Sequence, residues 1–379
     1  MKKLLTFAIG IILLLCAFVP VVAHGETASL AISAKEAFLM SEDGQVLFEH
    51  NATEKRPIAS MTKIMTLLCA YDAIDSGKVS LEDNVVASSH AASMGGSQVF
   101  LDANATYKLE NLIKSIVVCS ANDSCVAVAE YIDGSVENFV SKMNAKAKEL
   151  GLVATHFENC TGLPAVSQYS CAKDVAMMLS ELIKHPHYFT CANVWMEDFQ
   201  HPSGRVTGMT NTNKLIRFYD GCDGGKTGYT SEAQHCLAAT AKRVDTRVIA
   251  VVVGAPDSQT RFREVSAMFN YAFANYESKV YLQNQADVGT VSVQGGKQCC
   301  VDVVADSKLI AFGKKGNTDC QVTVDLPECV KAPIEKGDVV GTATLVDSNG
   351  KVVGQVNLVA KNGVAEKSYW DYVKDLLAD

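Results

Sequence analysis

The sequence has no excess of basic residues and, after its first two dozen residues, no long hydrophobic run. Its 34 lysines and arginines stand against 42 aspartates and glutamates, which gives a formal net charge of −8. A chain with this charge is repelled by a phosphate backbone, which argues against nucleic acid as a partner. Past residue 23 no stretch reaches the roughly eighteen uninterrupted apolar residues that a membrane-spanning helix needs. No spanning helix is predicted there.

The sequence also lacks the patterns of several catalytic and metal sites. Its eight histidines are scattered and form no Ser-His-Asp arrangement. Cys299 and Cys300 are adjacent, and His185 and His187 stand without a partner pair, so no zinc ligand set has the required spacing. The glycine-rich stretch 221–228 lacks the lysine and threonine spacing of a phosphate-binding loop. We therefore predict no metal site.

The first twenty-three residues form a segment of their own. Lys2 and Lys3 precede an apolar run from Leu4 to Val22, and Ala23 ends it with a small residue at a cleavage point. This order is typical of a secretory signal peptide, residues 1–23. It predicts an exported, extracytoplasmic protein on the cell-wall or periplasmic side, with an uncleaved N-terminal anchor as the alternative.

Thirteen cysteines are many for an exported protein, and twelve remain when Cys16 is removed with the signal peptide. An even number outside the cytoplasm usually indicates disulfides. Cys69, Cys119 and Cys125, however, lie in apolar, helix-like sequence, where a free thiol packs as a small hydrophobic group. We predict mostly free thiols, with disulfides as the alternative.

Up to residue 276 the spacing of hydrophobic residues first predicts strands, then a series of helices, and finally two strands followed by a helix. A strand, a tight turn and a second strand occupy residues 37–50. The predicted helices are 59–76, 109–118, 124–132, 138–150, 173–184 and 261–276, and the later strands are 236–242 and 247–254. Because strands lie at both ends with helices between them, we predict an α+β domain with one antiparallel sheet flanked by helices, over residues 24–279.

The pattern changes near residue 280. Short alternating apolar stretches separated by glycine- and aspartate-containing turns predict a small all-β domain over residues 280–363. The tail, residues 364–379, gathers aromatic residues and leucines on one helical face. It predicts an amphipathic helix that either lies on a membrane surface or caps the β domain. Its acidic residues outnumber its lysines, which disfavours attachment to anionic lipid.

One short motif has the chemistry of a nucleophile with its base. Ser60 and Lys63 are three residues apart, which places both side chains on one face of a helix. A serine hydroxyl is a poor nucleophile until a base removes its proton, and a desolvated lysine can be that base. The same spacing recurs at residues 170–173 and 348–351. Only Ser60, however, is expected to open an amphipathic helix that can be buried.

Two further motifs lie downstream. Ser120 and Asn122 form a Ser-x-Asn motif between two helical segments, where a loop can direct a hydroxyl and an amide into a cleft. An ordinary turn or helix cap is the alternative. Lys226-Thr227-Gly228 lies just before the predicted strands 236–242 and 247–254 and is expected to open the same run of antiparallel strands. There a lysine and a hydroxyl on an edge strand can hold a carboxylate, and the glycine lets the backbone approach a ligand.

Ser-x-x-Lys, Ser-x-Asn and Lys-Thr-Gly in this order resemble the penicillin-recognising serine enzymes. The segments 56–63, 159–164 and 224–230, together with the later β domain, are similar to those of the low-molecular-mass penicillin-binding proteins. Within that group the chain is most similar to the exported serine D-alanyl-D-alanine carboxypeptidases, over about residues 29–362. The resemblance implies a β-lactamase/transpeptidase-like catalytic domain. It also implies removal of the terminal D-alanine from peptidoglycan stem peptides, without a metal or an organic cofactor.

The resemblance also implies roles for individual residues. Ser60 would be the nucleophile and Lys63 its general base, with Ser120 relaying a proton and Asn122 positioning the substrate. The backbone N–H groups of Ser60 and Tyr229 would form the oxyanion hole. The remaining implied substrate-binding residues are Lys226, Thr227, Gly228 and, as a weaker candidate for binding a carboxylate, Arg261. β-Lactams would acylate the same serine.

Two other readings stay open. A serine β-lactamase shares the first chemical step, but no Glu-x-x-Leu-Asn segment lies between Asn122 and Lys226, and such an enzyme has no need of a C-terminal β domain. A non-catalytic penicillin-sensing or wall-binding protein would keep the fold, although the loss of Ser60 or Lys63 would be its usual mark. Whether Cys119, next to Ser120, makes the site sensitive to oxidants depends on its burial.

Overall fold

The structure is a computed structural model that describes residues 30–316 and 319–378. The predicted signal peptide, residues 1–23, lies outside the described residues. The strands, in chain order, are β1 Glu36–Ser41, β2 Val46–His50, β3 Asn84–Val86, β4 Thr106–Lys108, β5 Met196–Gln200, β6 Val206–Thr210, β7 Cys222–Thr230, β8 Gln234–Arg243, β9 Thr246–Ala255, β10 Tyr276–Leu282, β11 Asp287–Gln294, β12 Cys300–Ala305, β13 Leu309–Lys314, β14 Cys320–Asp325, β15 Cys329–Lys331, β16 Val339–Asp347 and β17 Val352–Ala360.

The helices follow the same order along the chain. They are α1 Lys63–Asp75, α2 Ser89–Ala92, α3 Leu109–Val118, α4 Asn122–Asp133, α5 Val136–Glu149, α6 Ala172–Leu182, α7 Tyr188–Ala192, α8 Leu215–Phe218, α9 Ser258–Asn275 and α10 Tyr369–Ala378. The predicted helices at 109–118, 124–132, 138–150, 173–184 and 261–276 are confirmed to within three residues at each end.

A five-stranded antiparallel sheet forms the centre of the first domain, in the order β2-β1-β9-β8-β7. Strands from both ends of this part of the chain therefore meet in one sheet, as predicted. All ten residues of β9 are buried, because α6 and α9 both pack against it. β7 lies at the edge of the sheet. One of its sides is therefore free of strand partners and available to a ligand.

Helix α1 differs from the prediction in two ways. It begins at Lys63, and Ser60 lies just before it in a 3₁₀ turn, Ala59–Thr62. Ala59 has a positive φ of 48°, so the predicted helix cannot include this residue. The helix is also not amphipathic. Ten of its residues are buried, because α4, α5 and α6 all pack around it.

The chain after α9 is all β until its tail. A six-stranded sheet has the order β14-β16-β17-β12-β11-β15, and β10 pairs with β13. A separate apolar core, which includes Val303, Leu345 and Leu358, lies among these strands. β10 contains the predicted domain boundary at residues 279 and 280, so part of the chain assigned to the first domain pairs with a strand of the second.

The tail forms α10, with exposed aromatic side chains at Tyr369, Trp370 and Tyr372. Asp371 of this helix pairs with Lys297 of the β domain at 3.5 Å. Among the described residues, no helix has the length and apolar character needed to cross a membrane.

Candidate active site

The hydroxyl of Ser60 lies beside a buried amine. Lys63 opens α1, its side chain is completely buried, and its Nζ lies 3.0 Å from Ser60 Oγ. The 3₁₀ turn holds the serine one turn before the lysine on the same side of the helix axis. The two groups that the Ser-x-x-Lys spacing predicted to meet are therefore in contact.

Lys63 Nζ has two further partners. It donates to Asn122 Oδ1 at 2.7 Å and to the backbone oxygen of Thr161 at 2.5 Å. Both of these oxygens can only accept, whereas the Ser60 hydroxyl can also donate. An uncharged amine has two N–H donors and one lone pair. The three contacts therefore suit a neutral Lys63 that accepts the proton of Ser60.

Two buried lysines, Lys63 and Lys226, share the site, and neither pairs with a carboxylate among the residues that the structure describes. Burial lowers the pKa of Lys63, and Asp123 is the weakest of the neighbouring groups that oppose this effect. Burial also lowers the pKa of Lys226 to about 7, and the positive charge of Lys63 adds to the effect. Each ammonium disfavours the other, so at neutral pH the site holds less than two positive charges.

Ser120 and Asn122 stand between α3 and α4. Ser120 has a left-handed φ of 67°, and Asn122 is the first residue of α4. The Asn122 side chain donates to the Gly95 oxygen at 2.7 Å, which directs its own oxygen towards Lys63. Ser120 Oγ is buried, and no hydrogen-bond partner for it occurs among residues 30–316 and 319–378. Leaving a buried hydroxyl unpaired costs about 1–3 kcal/mol, so a substrate that pairs with it recovers this energy.

The edge strand β7 brings the third motif beside Ser60. Lys226 is buried, with its Nζ 3.2 Å from the Thr227 oxygen. Thr227 Oγ1 donates to Thr212 Oγ1 at 2.8 Å. A Cβ added at Gly228 would lie 2.6 Å from the Ile58 oxygen and 3.3 Å from the Ser60 nitrogen. Only glycine therefore lets β7 pack directly on the 3₁₀ turn that carries Ser60.

The backbone of β7 presents an N–H group at its open edge. Arg261 Nη1 donates to the Gly228 oxygen at 3.1 Å and to the Cys236 oxygen at 3.3 Å. The N–H of Tyr229 belongs to the same trans peptide as the Gly228 oxygen, so it points the opposite way. The N–H of Gly225, four residues earlier on the same edge, donates to the Tyr188 hydroxyl at 2.8 Å instead of to β8. The Tyr229 N–H is thus directed away from the sheet.

The structure also separates the three Ser-x-x-Lys motifs. Ser60 and Lys63 contact each other, whereas Lys173 is exposed and Ser348 and Lys351 both lie on the surface. Ser170 Oγ instead bonds Thr155 Oγ1 at 2.8 Å. Burial of the lysine distinguishes the first motif from the other two. In the sequence, the only sign of this burial is the run of apolar residues that follows Lys63.

Sequence reasoning missed three groups that complete the site: the Thr161 oxygen, the Gly95 oxygen and the Thr212 hydroxyl. One of them has a local signal. Asn159 Oδ1 accepts hydrogen bonds from the N–H groups of Thr161 and Gly162, which is the turn that Asn-x-Thr-Gly favours. The other two groups come from distant parts of the chain, and only the folded contacts reveal them.

Known proteins are similar to this chain in sequence and in architecture. A family model described as D-alanyl-D-alanine carboxypeptidase matches residues 23–257. A second, described as penicillin-binding protein 5, C-terminal domain, matches residues 276–366. The D-alanyl-D-alanine carboxypeptidase DacF of Bacillus subtilis is 39% identical, covering 100% of this chain and 99% of its own. DacC of Escherichia coli is 33% identical over 90% and 88% of the two chains.

Solved structures agree with these matches. Penicillin-binding protein 5 of Haemophilus influenzae has a TM-score of 0.67 at 30% identity, covering 89% of this chain and 98% of its own. A peptidoglycan synthesis regulatory factor, PBP3, of Streptococcus pneumoniae has a TM-score of 0.71 at 27% identity, covering 88% and 100%. The predicted fold class, a catalytic α+β domain followed by a small all-β domain, is confirmed.

Proposed function

The chain belongs to the D-alanyl-D-alanine carboxypeptidase family, and from this premise we propose how its side chains carry out the reaction. It is a serine-type D-Ala-D-Ala carboxypeptidase, a hydrolase with a role in the cell wall. The proposal assigns the individual steps to Ser60, Lys63, Ser120, Asn122 and the Lys226 motif.

In the first step, Ser60 Oγ attacks the carbonyl carbon of the penultimate D-alanine of a peptidoglycan stem peptide. Its proton passes to Lys63 Nζ, and a tetrahedral intermediate forms. The observation that carries this assignment is the set of three contacts at Lys63 Nζ, two to oxygens that only accept and one to the Ser60 hydroxyl. A lysine with a lowered pKa is uncharged often enough to act as the base.

In the second step, the peptide bond breaks and the terminal D-alanine leaves with a proton supplied through Ser120. The N–H groups of Ser60 and Tyr229 stabilise the negative oxygen of the intermediate. Lys226 and Thr227 bind the terminal carboxylate. Because the pKa of Lys226 lies at about 7, the arriving carboxylate draws a proton onto this lysine and strengthens its own binding. Water then hydrolyses the acyl-enzyme and frees Ser60.

Three finer assignments accompany this mechanism. β-Lactams acylate Ser60, because they place a reactive carbonyl and a carboxylate where the peptide places its own. The chain is exported, an inference that rests on Lys2, Lys3 and the apolar run that follows them. The exposed aromatic residues of α10 contact the membrane surface, in keeping with their amphipathic arrangement.

Release of D-alanine from a diacylated tripeptide that ends in D-Ala-D-Ala tests the mechanism. The parent protein is expected to release D-alanine, and Ser60→Ala to release none. Ser348→Ala, which removes the exposed serine of another Ser-x-x-Lys motif, is the matched control and should keep full activity. If Ser60→Ala released D-alanine at the parent rate, the assignment of the nucleophile would be wrong.

Penicillin labelling separates catalysis from mere binding. Labelling of Ser60 together with release of D-alanine supports a carboxypeptidase that β-lactams inhibit. Labelling without release, in protein that has kept its folded spectrum, would favour a penicillin sensor or a β-lactamase.

A further inference from the structure

Two neighbouring thiols lie on the surface of the β domain, away from the catalytic residues. Cys299 precedes β12 and Cys300 is its first residue, and both are exposed. Their sulfur atoms are 4.0 Å apart. Adjacent residues of an extended strand point to opposite faces. The short distance therefore shows that the chain turns at Cys299 and presents both thiols on one side.

The other described thiols of the same chain are not placed to form a disulfide with Cys299 or Cys300. Cys300 and Cys329 both pair with Ser292, one from each side. They are therefore separated by two strand spacings, about 9.6 Å, whereas a disulfide needs Cα atoms within about 7 Å. The other nine described cysteines are also free. Seven of them are buried, Cys119 is partly buried in the first domain, and Cys320 is partly buried on β14, three strands away from β12 in the sheet. In the described chain no set of three or more cysteine, histidine or acidic side chains is placed to hold a metal ion.

We propose that Cys299 and Cys300 form a dithiol modification site that closes to a disulfide by exchange with a low-molecular-mass disulfide. The thiolate of Cys299 attacks one sulfur of the small disulfide, whose other half leaves as a thiol. The thiolate of Cys300 then attacks the Cys299 sulfur and displaces the second half as a thiol. Two protein thiols are oxidised and one disulfide is reduced to two thiols, so atoms and electrons balance.

Ring closure changes the backbone that holds the tail. The peptide between the two cysteines lies inside the new ring, and its carbonyl, the Cys299 oxygen, accepts a bond from the Val293 N–H at 2.8 Å. Drawing the sulfur atoms from 4.0 Å to bonding distance competes with that hydrogen bond. Oxidation is therefore expected to loosen the junction of β11 and β12.

This junction is where the chain before α10 docks. The Lys297 N–H donates to the Ala365 oxygen at 2.8 Å, and the Lys367 N–H donates to the Gly295 oxygen at 2.8 Å. Lys297 also pairs with Asp371 of α10. The dithiol thus lies at the base of the segment that carries the exposed aromatic residues. Its oxidation is expected to weaken the attachment of that segment to the β domain.

Tryptic mapping of the full chain tests the modification. Oxidised glutathione is the probe, followed by alkylation of the remaining thiols and digestion. Trypsin cuts after Lys297 and Lys308, so fragment 298–308 contains Cys299 and Cys300 and no other cysteine. We expect fragment 298–308 of the oxidised protein to have lost two hydrogen atoms and to carry no alkyl group. In untreated protein the same fragment should carry two alkyl groups, one on each cysteine. Fragment 316–331, with Cys320 and Cys329, is the internal comparison and should show no internal disulfide.

Two variants sharpen the result. Cys329→Ser should leave the oxidation of fragment 298–308 unchanged, whereas Cys300→Ser should leave glutathione attached to Cys299. If the parent fragment instead carries two alkyl groups, retains glutathione or links to another chain, the dithiol proposal is overturned.

Backbone hydrogen exchange tests the consequence for the tail. The amides of Lys297 and Lys367 should exchange faster in the oxidised protein than in the reduced protein, while the amides of β9 stay unchanged. Equal exchange in both forms would overturn the link between the dithiol and the tail. Because none of these readouts depends on D-alanine release, the proposal and the catalytic assignment fail independently.

Discussion

At the scale of single residues, Arg261 shows how contacts refine a role suggested by resemblance. Its guanidinium is partly buried and donates to the Gly228 and Cys236 oxygens and to Ser258 Oγ. Burial lowers the pKa of this arginine. These bonds fix the peptide that carries the Tyr229 N–H. The geometry therefore favours a positioning role over the direct binding of a substrate carboxylate.

The variant Arg261→Leu is expected to slow acylation of Ser60 by about 10- to 100-fold, less than the 10²–10³ lost when an oxyanion donor itself is removed. The loss should be equal for a peptide that ends in a free carboxylate and for one that ends in an amide, because the oxyanion forms in both. Steady-state kinetics with the two peptides measure this. Arg263→Leu, on the same helix, is the matched control, because Arg263 donates to Thr260 Oγ1 at 3.1 Å and not to the peptide before Tyr229.

The alternative role predicts a different pattern. If Arg261 instead bound the terminal carboxylate, Arg261→Leu would raise KM for the carboxylate substrate and leave the amide substrate unaffected. That outcome would overturn the positioning role and restore the role that the resemblance implied.

At the scale of elements, the site depends on three segments that pack backbone against backbone. The 3₁₀ turn around Ser60 touches β7 at Gly228 and touches the segment 159–164 at Gly162. A Cβ at Gly162 would overlap the carbonyl oxygen of Ala59. The same segment supplies the Thr161 oxygen to Lys63, so the close approach and the lysine contact depend on each other.

Gly162→Ala is therefore expected to reduce kcat/KM by about 10-fold or more, because the 3₁₀ turn that carries Ser60 must move away from Thr161. Gly204→Ala is a closely matched control. Both glycines have a φ of +83°, but a Cβ at Gly204 would meet nothing within 4 Å. The two variants carry the same backbone strain, on the order of 1 kcal/mol, and differ in the contact with Ala59. Equal activities in the two variants, measured by D-alanine release, would contradict this explanation.

The elements also show what the sequence could predict. Helix periodicity located α3, α4, α5, α6 and α9, because each has an apolar face that the pattern makes visible. The start of α1 was misplaced, since nothing local reveals the positive φ of Ala59. The hairpin β5–β6 was not predicted. Each of its strands buries a single side chain, Phe199 in β5 and Met209 in β6, so neither has the alternating apolar pattern that marks a strand in the sequence.

The candidate site likewise contains groups that the sequence could predict and groups that it could not. The three motifs predicted Ser60, Lys63 and Asn122, which the structure brings into direct contact. Motifs of this kind record side chains. They do not record backbone oxygens: the turn at Asn159 is visible in the sequence, but that the Thr161 and Gly95 oxygens meet Lys63 and Asn122 follows only from the folded contacts.

At the scale of the whole molecule, buried charges make folding stability depend on pH. Burial raises the pKa of Glu36 from 4.5 to about 7. Between these values the folded protein holds a proton that the unfolded chain has lost, so this residue makes stability fall as pH rises. Lys226 acts in the opposite sense. Its pKa falls from 10.5 to about 7, so between pH 7 and 10.5 only the unfolded chain holds the proton, and stability rises with pH.

Lys226 therefore lowers stability most at and below neutral pH, with an upper limit of about 5 kcal/mol from the size of its pKa shift. Lys226→Met, which keeps a long side chain and removes the charge, is expected to raise the free energy of unfolding by several kcal/mol at pH 6 while abolishing D-alanine release. The gain should shrink towards pH 10, where the native lysine is already neutral. Urea unfolding at both pH values measures this gain in the free energy of unfolding, with the exposed Lys214→Met as control.

A gain of the same size at pH 6 and pH 10 would mean that the methionine stabilises by packing alone. A gain that disappears at pH 10 would identify the buried charge of Lys226 as a stability cost, as expected if this lysine is kept for the carboxylate-binding role proposed above.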